Sequence, residues 1–300
     1  MGGKFSLPPG GPQRLHTKFR LATSLHGQAV PILAPYPRQR RFQLMDTLFY
    51  PGKFEFRMGL ERGEPARFFR SHTGDDALLA QRQKILTAHP ERHSVLLPEG
   101  EPLLAEFARL LADWGTAAKP PTLGQDLAPD FLLLAPNAAG MPVLLGGCVC
   151  FPSSWAFEEK VGRPLDWIHA VVPTLNKKLG EKARGFLTKM PVGQAWLRAN
   201  WGLTASPALN QHPALGLPVL TPNIGFGDVW FRIERQALVA LPETGGILFG
   251  IRLEVIPLAE VRADERARLG LLEALQTMPD AIADYKNLTP ARARLIELLG

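Results

Sequence analysis

Two long alternating segments near the C-terminus constrain this fold most strongly. One segment begins at Val229 and the other covers 247–256. In both, apolar and polar side chains alternate with a period of two, which predicts strands with one buried face. Gly245 and Gly246 separate the segments and predict a turn between them. Residues 235–241 fit either a continuation of the first strand or two helical turns.

The rest of the chain predicts helices first, then strands, then helices again. Apolar residues recur with a helical period in 103–114. Because the strands follow one another through hairpin-length connections, we expect an antiparallel sheet in an α+β fold. The other segments that predict strands are 54–58 (short and exposed), 131–135, 143–151 and 194–201. The other predicted helices are 75–88, 176–190, a helix around 271–278 and a last helix that Thr289 caps.

Composition indicates an ordinary globular protein with a basic leader. The chain has 300 residues, of which 46% are hydrophobic and 21% charged, enough to bury a sizeable core. The first 41 residues carry seven of the basic side chains and no acidic one. We interpret 1–41 as an irregular Gly/Pro-rich leader and 42–300 as one domain. A basic tail can contact nucleic acid or an acidic protein, but no nucleic-acid recognition motif accompanies it, so we expect no nucleic-acid partner.

Apolar segments, export signals and cysteines predict the cellular location of the protein. No segment approaches 18 uninterrupted apolar residues, and no secretory signal is visible, so we expect neither a membrane span nor export. The two cysteines, Cys148 and Cys150, sit two apart on a predicted strand, where a disulfide rarely closes. This pattern favours a reducing compartment, and we expect a cytoplasmic protein.

The stretch from Cys148 to Pro173 concentrates the aromatic side chains. Pro152 ends the preceding strand, and Ser153 with Ser154 predicts the start of a short helical segment through Lys160. A second helical turn follows Gly162 and stops before Pro173, and it carries His169. Large rings beside one histidine in an apolar segment are typical of a pocket for a large flat ligand.

Several chemistries have no local support. The chain lacks a GxGxxG after a strand, a GK[ST] phosphate loop, an HExxH and a CxxC pair. Nucleotide, zinc and common hydrolase sites are therefore not indicated. His169 is the strongest single candidate, either as a metal or haem ligand or as a satisfied core histidine.

Charged side chains within the predicted strands form a second candidate set. Alternation places Arg232 and Glu234 on one face of their strand, and Arg252 and Glu254 form a similar pair on the next. These charges fit a solvated sheet face. They also fit a site in which arginine side chains bind carboxylates, such as haem propionates, through paired hydrogen bonds.

Four motifs together resemble the haem-dependent oxidative N-demethylase alpha-subunit family (dimethylamine monooxygenase-like). They are CFPSSWAFEEKVGRPLDWIHAVVP at 150–173, LRANW at 197–201, FRIERQALVALPETGGILFGIRLEVIPL at 231–258 and MPDAIADYKNL at 278–288. The motifs occur in order, and the resemblance spans 42–299.

The resemblance implies a PAS-like antiparallel sheet with flanking and wrapping helices that holds a b-type haem. It assigns His169 as the proximal iron ligand. A carboxylate, Glu234 or Glu254, is expected to orient the ammonium group of a substrate. The other side chains that it assigns to the cofactor pocket are Trp155, Arg198, Asn200, Arg232, Arg235 and Gln236.

The implied activity is a monooxygenase that removes an N-methyl group from a small secondary or methylated amine with O2 and releases formaldehyde. The chain has no flavin, nicotinamide or iron–sulfur motif, so electrons must come from a separate reductase with a flavin and an iron–sulfur cluster. The basic segment 176–190 is a candidate docking face for it. Two alternatives remain: a non-catalytic PAS-like haem sensor or binding protein, and the same fold without haem.

Overall fold

The structure is a computed structural model. It describes residues 48–49, 54–55, 58–72, 74–173, 185–187 and 189–300. All of them belong to the second of two units into which the chain divides, Pro31–Gly300. The predicted leader, 1–41, lies outside the described residues.

The strands and helices are numbered in chain order. The strands are β1 (Glu61–Gly63), β2 (Ser94–Leu96), β3 (Asp130–Pro136), β4 (Pro142–Cys148), β5 (Ala195–Thr204), β6 (Trp230–Ala240) and β7 (Ile247–Pro257). The helices are α1 (Pro65–Phe69), α2 (Asp75–Ala88), α3 (Pro90–His93), α4 (Glu101–Asp113), α5 (Leu123–Asp126), α6 (Leu165–His169), α7 (Leu258–Ala263), α8 (Glu265–Thr277), α9 (Asp280–Tyr285) and α10 (Arg292–Leu299).

The described strands form one antiparallel sheet in the order β1-β5-β6-β7-β3-β4-β2. The expectation of an α+β fold with an antiparallel sheet is confirmed. The β3–β4 hairpin and the β5–β6–β7 meander are separated in sequence by the segment that contains α6. They join in space where β3 pairs with β7.

The β6–β7 hairpin is the longest pairing in the sheet. Residues 235–241 continue the strand as far as Ala240, so the strand alternative is correct and the helical one is wrong. The register aligns Glu234 with Leu253 and Ile233 with Glu254. Directly opposed residues of antiparallel strands share a face of the sheet. This register therefore decides on which face each side chain of β6 and β7 lies.

We call the two sides the front face and the back face. The front face carries Asn200 and Glu234, which are opposed in the β5–β6 register, and the back face carries their neighbours Trp201 and Ile233. The back face is buried under two apolar clusters. One is made with the C-terminal helices and contains Phe231, Ile256, Leu271, Leu275 and Leu295; the other is made with α2 and α4 and contains Leu86, Phe107, Leu133 and Leu248.

The front face is covered less completely. Its buried cluster contains Leu132, Leu144, Phe157, Ile247 and Ile251. Half-buried side chains from β5, β6 and β7 surround that cluster: Trp196, Leu238, Phe249 and Leu253. A face that is apolar but incompletely covered by the described residues can receive a large apolar ligand.

A buried ion pair anchors the end of β4. Arg82 Nη1 lies 2.5 Å from Asp130 Oδ1, and both side chains are inaccessible to solvent. The Asp130 carboxylate also accepts the backbone N–H groups of Cys150, at 2.9 Å, and Phe151, at 3.0 Å. Because these amides bond to a carboxylate instead of a neighbouring strand, β4 ends at Cys148 and not at Phe151 as the sequence predicted.

Three other predictions of local structure are wrong. No helix forms between Ser153 and Lys160, because Ser153 bridges to Gln211 and Ser154 takes a positive φ of 61°. Phe54, Glu55 and Met58 do not form a strand; β1 begins three residues after Met58. Thr289 does not cap the last helix, because its hydroxyl donates to Asp284 and a 3₁₀ turn over 289–291 precedes α10.

Other predictions hold. The helices over 75–88 and 103–114 are present as α2 and α4, and Cys148 and Cys150 are buried free thiols. Most of the segment 176–190 lies outside the described residues; Gly185–Leu187 is helical. No helix in the described residues is long and apolar enough to cross a membrane.

Replacing Arg82 with methionine tests the anchor. We expect Arg82→Met to lower the free energy of unfolding by about 3 kcal/mol, because removal of one partner leaves the Asp130 charge buried without its cation. Urea denaturation measures the change. Arg109→Met is the matched control, since the Arg109–Glu243 pair is exposed and its loss is expected to cost under about 1 kcal/mol. Equal effects of the two substitutions would contradict the anchor.

Candidate functional site

His169 ends α6, a short helix that borders the front face. The preceding segment pairs with the outer edge of β4: Gly162 N–H donates to Leu144 O at 2.7 Å and Leu144 N–H donates to Arg163 O at 3.1 Å. Ile168 packs against the front-face cluster. The helix is therefore fixed against the sheet on one side, and His169 follows Ile168 directly.

The imidazole of His169 is held in a state suited to ligation. Burial, and then the positive charge of Arg198, lower its pKa below the ordinary value of 6.5, while Asp166 opposes them. Within the described part of the chain, the ring makes no hydrogen bond. A neutral imidazole with ring nitrogens not engaged by these residues is the form that binds haem iron or a metal.

A polar row crosses the front face on β5 and β6. Arg198 is opposed to Gln236, and Asn200 is opposed to Glu234. Glu234 is the acceptor at the centre of the row. Its Oε2 accepts from Gln236 Nε2 at 2.9 Å and from Asn200 Nδ2 at 3.5 Å, and its Oε1 accepts from the Ser153 hydroxyl.

Arg232 lies on the same face, but its guanidinium binds the protein itself. Nε donates to Ser153 Oγ at 2.7 Å, and Nη2 donates to Phe151 O and Leu209 O, each at 2.8 Å. Burial lowers the pKa of Arg232 to about 10, which leaves it cationic at neutral pH. The interpretation as a solvated sheet face is wrong for this residue. Its bonds join the two loops beside Glu234.

Ser153, which the sequence analysis did not assign, belongs to this site, and Lys286, also unassigned, is near enough to Glu234 and Arg198 to interact with their charges. Ser153 links Arg232 to Glu234, as described above. Lys286, which follows α9, donates from Nζ to Trp201 O at 2.7 Å, and burial lowers its pKa to about 8 against the opposing charge of Glu234. Both residues lie in the sequence motifs that resemble the family. Their position in those motifs was the one sequence feature that could have identified them.

Apolar rings occupy the other part of the front face. Trp155 packs against the front-face cluster and lies 6.2 Å from Phe157 between ring centroids. Trp196 meets Phe186 edge to face at 5.3 Å. The indole Nε1 of Trp196 is buried and has no hydrogen-bond partner among the described residues.

Three of the predicted charged residues lie on the back face. Arg235 and Arg252 are opposed to each other, and Glu254 is opposed to Ile233. Arg235 Nη2 pairs with Glu254 Oε2 at 3.2 Å, and the Arg252 guanidinium donates to Phe68 O at 2.7 Å and to Arg70 O at 2.5 Å. Glu234 and Glu254 thus lie on opposite sides of the sheet, so they cannot line one pocket.

The front-face residues fit a haem. They combine a neutral histidine, a cation at Arg198 and half-buried aromatic and aliphatic side chains, which match an iron atom, a propionate and a porphyrin plane respectively. No group of three or more His, Cys, Asp or Glu side chains in the described residues is placed to hold a bare metal ion. A single axial histidine, by contrast, needs no such group.

Comparison with known families decides the classification. The family described as haem-dependent oxidative N-demethylase, alpha subunit-like, matches residues 117–296. The chain belongs to this family. The match covers β3 to β7, α6 and most of the C-terminal helices, and it therefore includes the whole front-face polar row. Membership supports haem dependence and an oxidoreductase activity of the N-demethylase type.

Ser153→Ala tests the polar row. The change leaves Arg232 Nε without its acceptor, and we expect the free energy of unfolding to fall by about 1–3 kcal/mol. Thermal or urea unfolding measures it. Ser154→Ala is the matched control, because Ser154 is exposed, and its effect is expected to stay within about 0.5 kcal/mol. Indistinguishable variants would mean that the hydroxyl does not support the row.

Proposed function

We propose that this protein is a haem-dependent monooxygenase that demethylates a small secondary or methylated amine. The observation that carries the proposal is the front face, where His169, Arg198 and the Glu234 row border an apolar, incompletely covered sheet. When bound, haem b supplies O2 activation, which oxidises the N-methyl group to a carbinolamine that releases formaldehyde. A separate reductase supplies the electrons.

Each residue has a distinct role in the proposal. His169 holds the iron, and Arg198 pairs with a propionate. Trp155 contacts the porphyrin. Glu234 receives the ammonium group of the substrate by charge, since Asn200, Gln236 and Ser153 fix the orientation of its carboxylate.

Three sequence assignments change. Arg232 supports the Glu234 row from behind, because its donors are bonded to Ser153 and to backbone carbonyls. Glu254 and Arg235 stabilise the back face as an ion pair instead of contacting cofactor. Glu234 alone is therefore proposed to orient the ammonium group of the substrate.

Two further proposals concern the fold and the cellular location. The pairing of a hairpin with a three-stranded meander through β3 and β7, with α6 in the connection between them, supports a PAS-like fold. Two buried free thiols support a reducing compartment, and we assign the protein to the cytoplasm.

Loss of His169 is expected to abolish haem binding. Protein carrying His169→Ala should show less than about a tenth of the wild-type haem content after reconstitution, and free imidazole should restore part of it.

Haem affinity should also depend on pH. Because burial and Arg198 lower the pKa of His169, wild-type affinity should persist through pH 6.5 and fall at more acidic pH, as the imidazole is protonated. Haem titration at several pH values measures both effects. His89→Ala, a change at an exposed histidine, is the control. Full haem retention in His169→Ala would contradict the assignment.

Removal of the Glu234 charge is expected to weaken amine recognition while haem stays bound. A charged hydrogen bond contributes about 1.5–3 kcal/mol, so Glu234→Gln should lower kcat/KM for dimethylamine by about tenfold or more. Formaldehyde release in the presence of a competent reductase measures turnover. Glu254→Gln separates the two carboxylates: it should destabilise the fold and leave KM unchanged. A wild-type protein that binds haem and forms no formaldehyde from any amine would favour the haem-sensor alternative.

A further inference from the structure

Two buried histidines and a glutamate, none of which the proposed function uses, form a cluster of their own. Glu158 follows Phe157 of the front-face cluster, His93 ends α3, and His212 lies in the loop that connects β5 to β6. His93 is 2% exposed and His212 5%, and their rings meet edge to face at 5.5 Å between centroids. Ionisable side chains that are buried this deeply are explained by what they bind.

The hydrogen bonds of His212 select one neutral tautomer. The backbone N–H of Ala214 donates to His212 Nδ1 at 3.2 Å, so the imidazole caps the 3₁₀ turn Pro213–Leu215. Nδ1 therefore carries a lone pair, and the proton lies on Nε2, which donates to the two carboxylate oxygens of Glu158 at 3.1 and 3.2 Å. A second proton would have to enter at Nδ1. There it would face the Ala214 N–H, and the cap would be lost.

His93 takes the opposite tautomer. Its Nδ1 lies 2.8 Å from Val149 O, and because a carbonyl oxygen only accepts, this nitrogen carries the proton. Burial lowers the pKa of His93 below the ordinary value of 6.5, although the bond to Val149 O opposes the shift. The charged or titratable groups that act on the ring are His212, Asp130 and Glu158. Of the two rings, His212 is the one hydrogen-bonded to a carboxylate, so a second proton is stabilised there.

The loop that leads to His212 is joined to the segment around Ser153. Gln211 N–H donates to Pro152 O at 3.0 Å, and Ser154 N–H donates to Gln211 O at 3.1 Å. These two bonds flank Ser153 and fix the segment from which its hydroxyl reaches the polar row. The pair between His212 and its glutamate joins the same two segments a few residues further along the chain.

The same loop also accepts from Arg232. Arg232 Nη1 donates to Ala208 O at 3.3 Å and Nη2 donates to Leu209 O at 2.8 Å. Arg232 Nε donates to Ser153, whose hydroxyl donates in turn to Glu234. A displacement of the loop would therefore reach the Glu234 carboxylate by two routes, one through the Ser153 segment and one through Arg232.

We propose that His212, paired with Glu158, is a positioning residue for the Glu234 carboxylate and makes its position depend on pH. While His212 is neutral, the cap and the bond to the glutamate hold the loop against the Ser153 segment. When His212 is protonated, the cap is lost, the loop loosens, and Glu234 binds the ammonium group less tightly. This inference rests on the proposed function, of which it describes the regulation.

Hydrogen exchange of the full chain tests the pair without substrate or reductase. The protection factors of the Ser154 and Gln211 amides, which correct for the intrinsic effect of pH on exchange, are measured from about pH 8 to about pH 5. In the wild type we expect them to fall by about tenfold or more at acidic pH. His212→Asn should keep them high throughout, because asparagine also caps a helical turn and does not titrate. His212→Ala should lower them at every pH.

His89→Asn is the matched control. His89 also precedes a short helix, α3, and its Nδ1 lies 3.4 Å from Glu91 Oε1, but the ring is half exposed and makes no cap hydrogen bond to the described residues. This variant should keep the wild-type response to pH. Glu158→Gln should move the response to more acidic pH, because a neutral amide stabilises an imidazolium less than a carboxylate does. Circular dichroism checks that each variant is folded.

Amine kinetics give a second readout. As the pH falls, KM for dimethylamine should rise by about threefold to tenfold more in the wild type than in His212→Asn, while kcat changes equally in both, because the pair acts on substrate binding. Glu234 and His169 are common to both proteins, so the difference between the two profiles reports His212. Equal protection of wild type and His212→Asn at acidic pH would overturn the proposal, whether or not the protein turns over. A pH-dependent loop in a protein that takes up no haem would support the response of the loop and refute the proposed function, so the two failures are distinguishable.

Discussion

The buried pair between Arg82 and Asp130 organises the candidate site from a distance. Asp130 takes the amides of Cys150 and Phe151, which ends β4 and directs the next residues away from the sheet. The carbonyl of Phe151 then accepts from Arg232, Arg232 donates to Ser153, and Ser153 donates to Glu234. The orientation of one carboxylate on the front face thus depends on an ion pair in the core. Buried polar networks of this kind are stable only when every member is satisfied.

Strand register places the polar side chains of the candidate site together on the front face. One step of two residues along β5 separates Arg198 from Asn200, and their partners on β6 are Gln236 and Glu234. The charges therefore gather at one part of the front face, while the apolar rings lie at another. The back face differs: Arg235 and Glu254 form an ion pair there, and Arg252 donates to backbone carbonyls, between two apolar clusters. A cofactor with an apolar plane and anionic ends suits the first face and not the second.

The sequence predicted the local periodicities and not the long-range partners. The alternation of β6 and the helical period of α4 are properties of neighbouring residues, so both predictions hold. Whether Glu254 joins Glu234 depends on the β6–β7 register, and a shift of one residue would have reversed the answer. The end of β4 depends on Asp130, twenty residues away from Cys150. Ser153 and Lys286 act through partners that only the fold brings close.

The most direct test is an absorption spectrum of the full chain produced with added haem precursor, recorded oxidised, reduced with dithionite and then exposed to carbon monoxide. We predict an intense Soret band that shifts on reduction and again with carbon monoxide, because a haem held by His169 alone would keep a position open on the iron. Folded protein that has been offered haem and shows no Soret band would contradict the haem site on the front face.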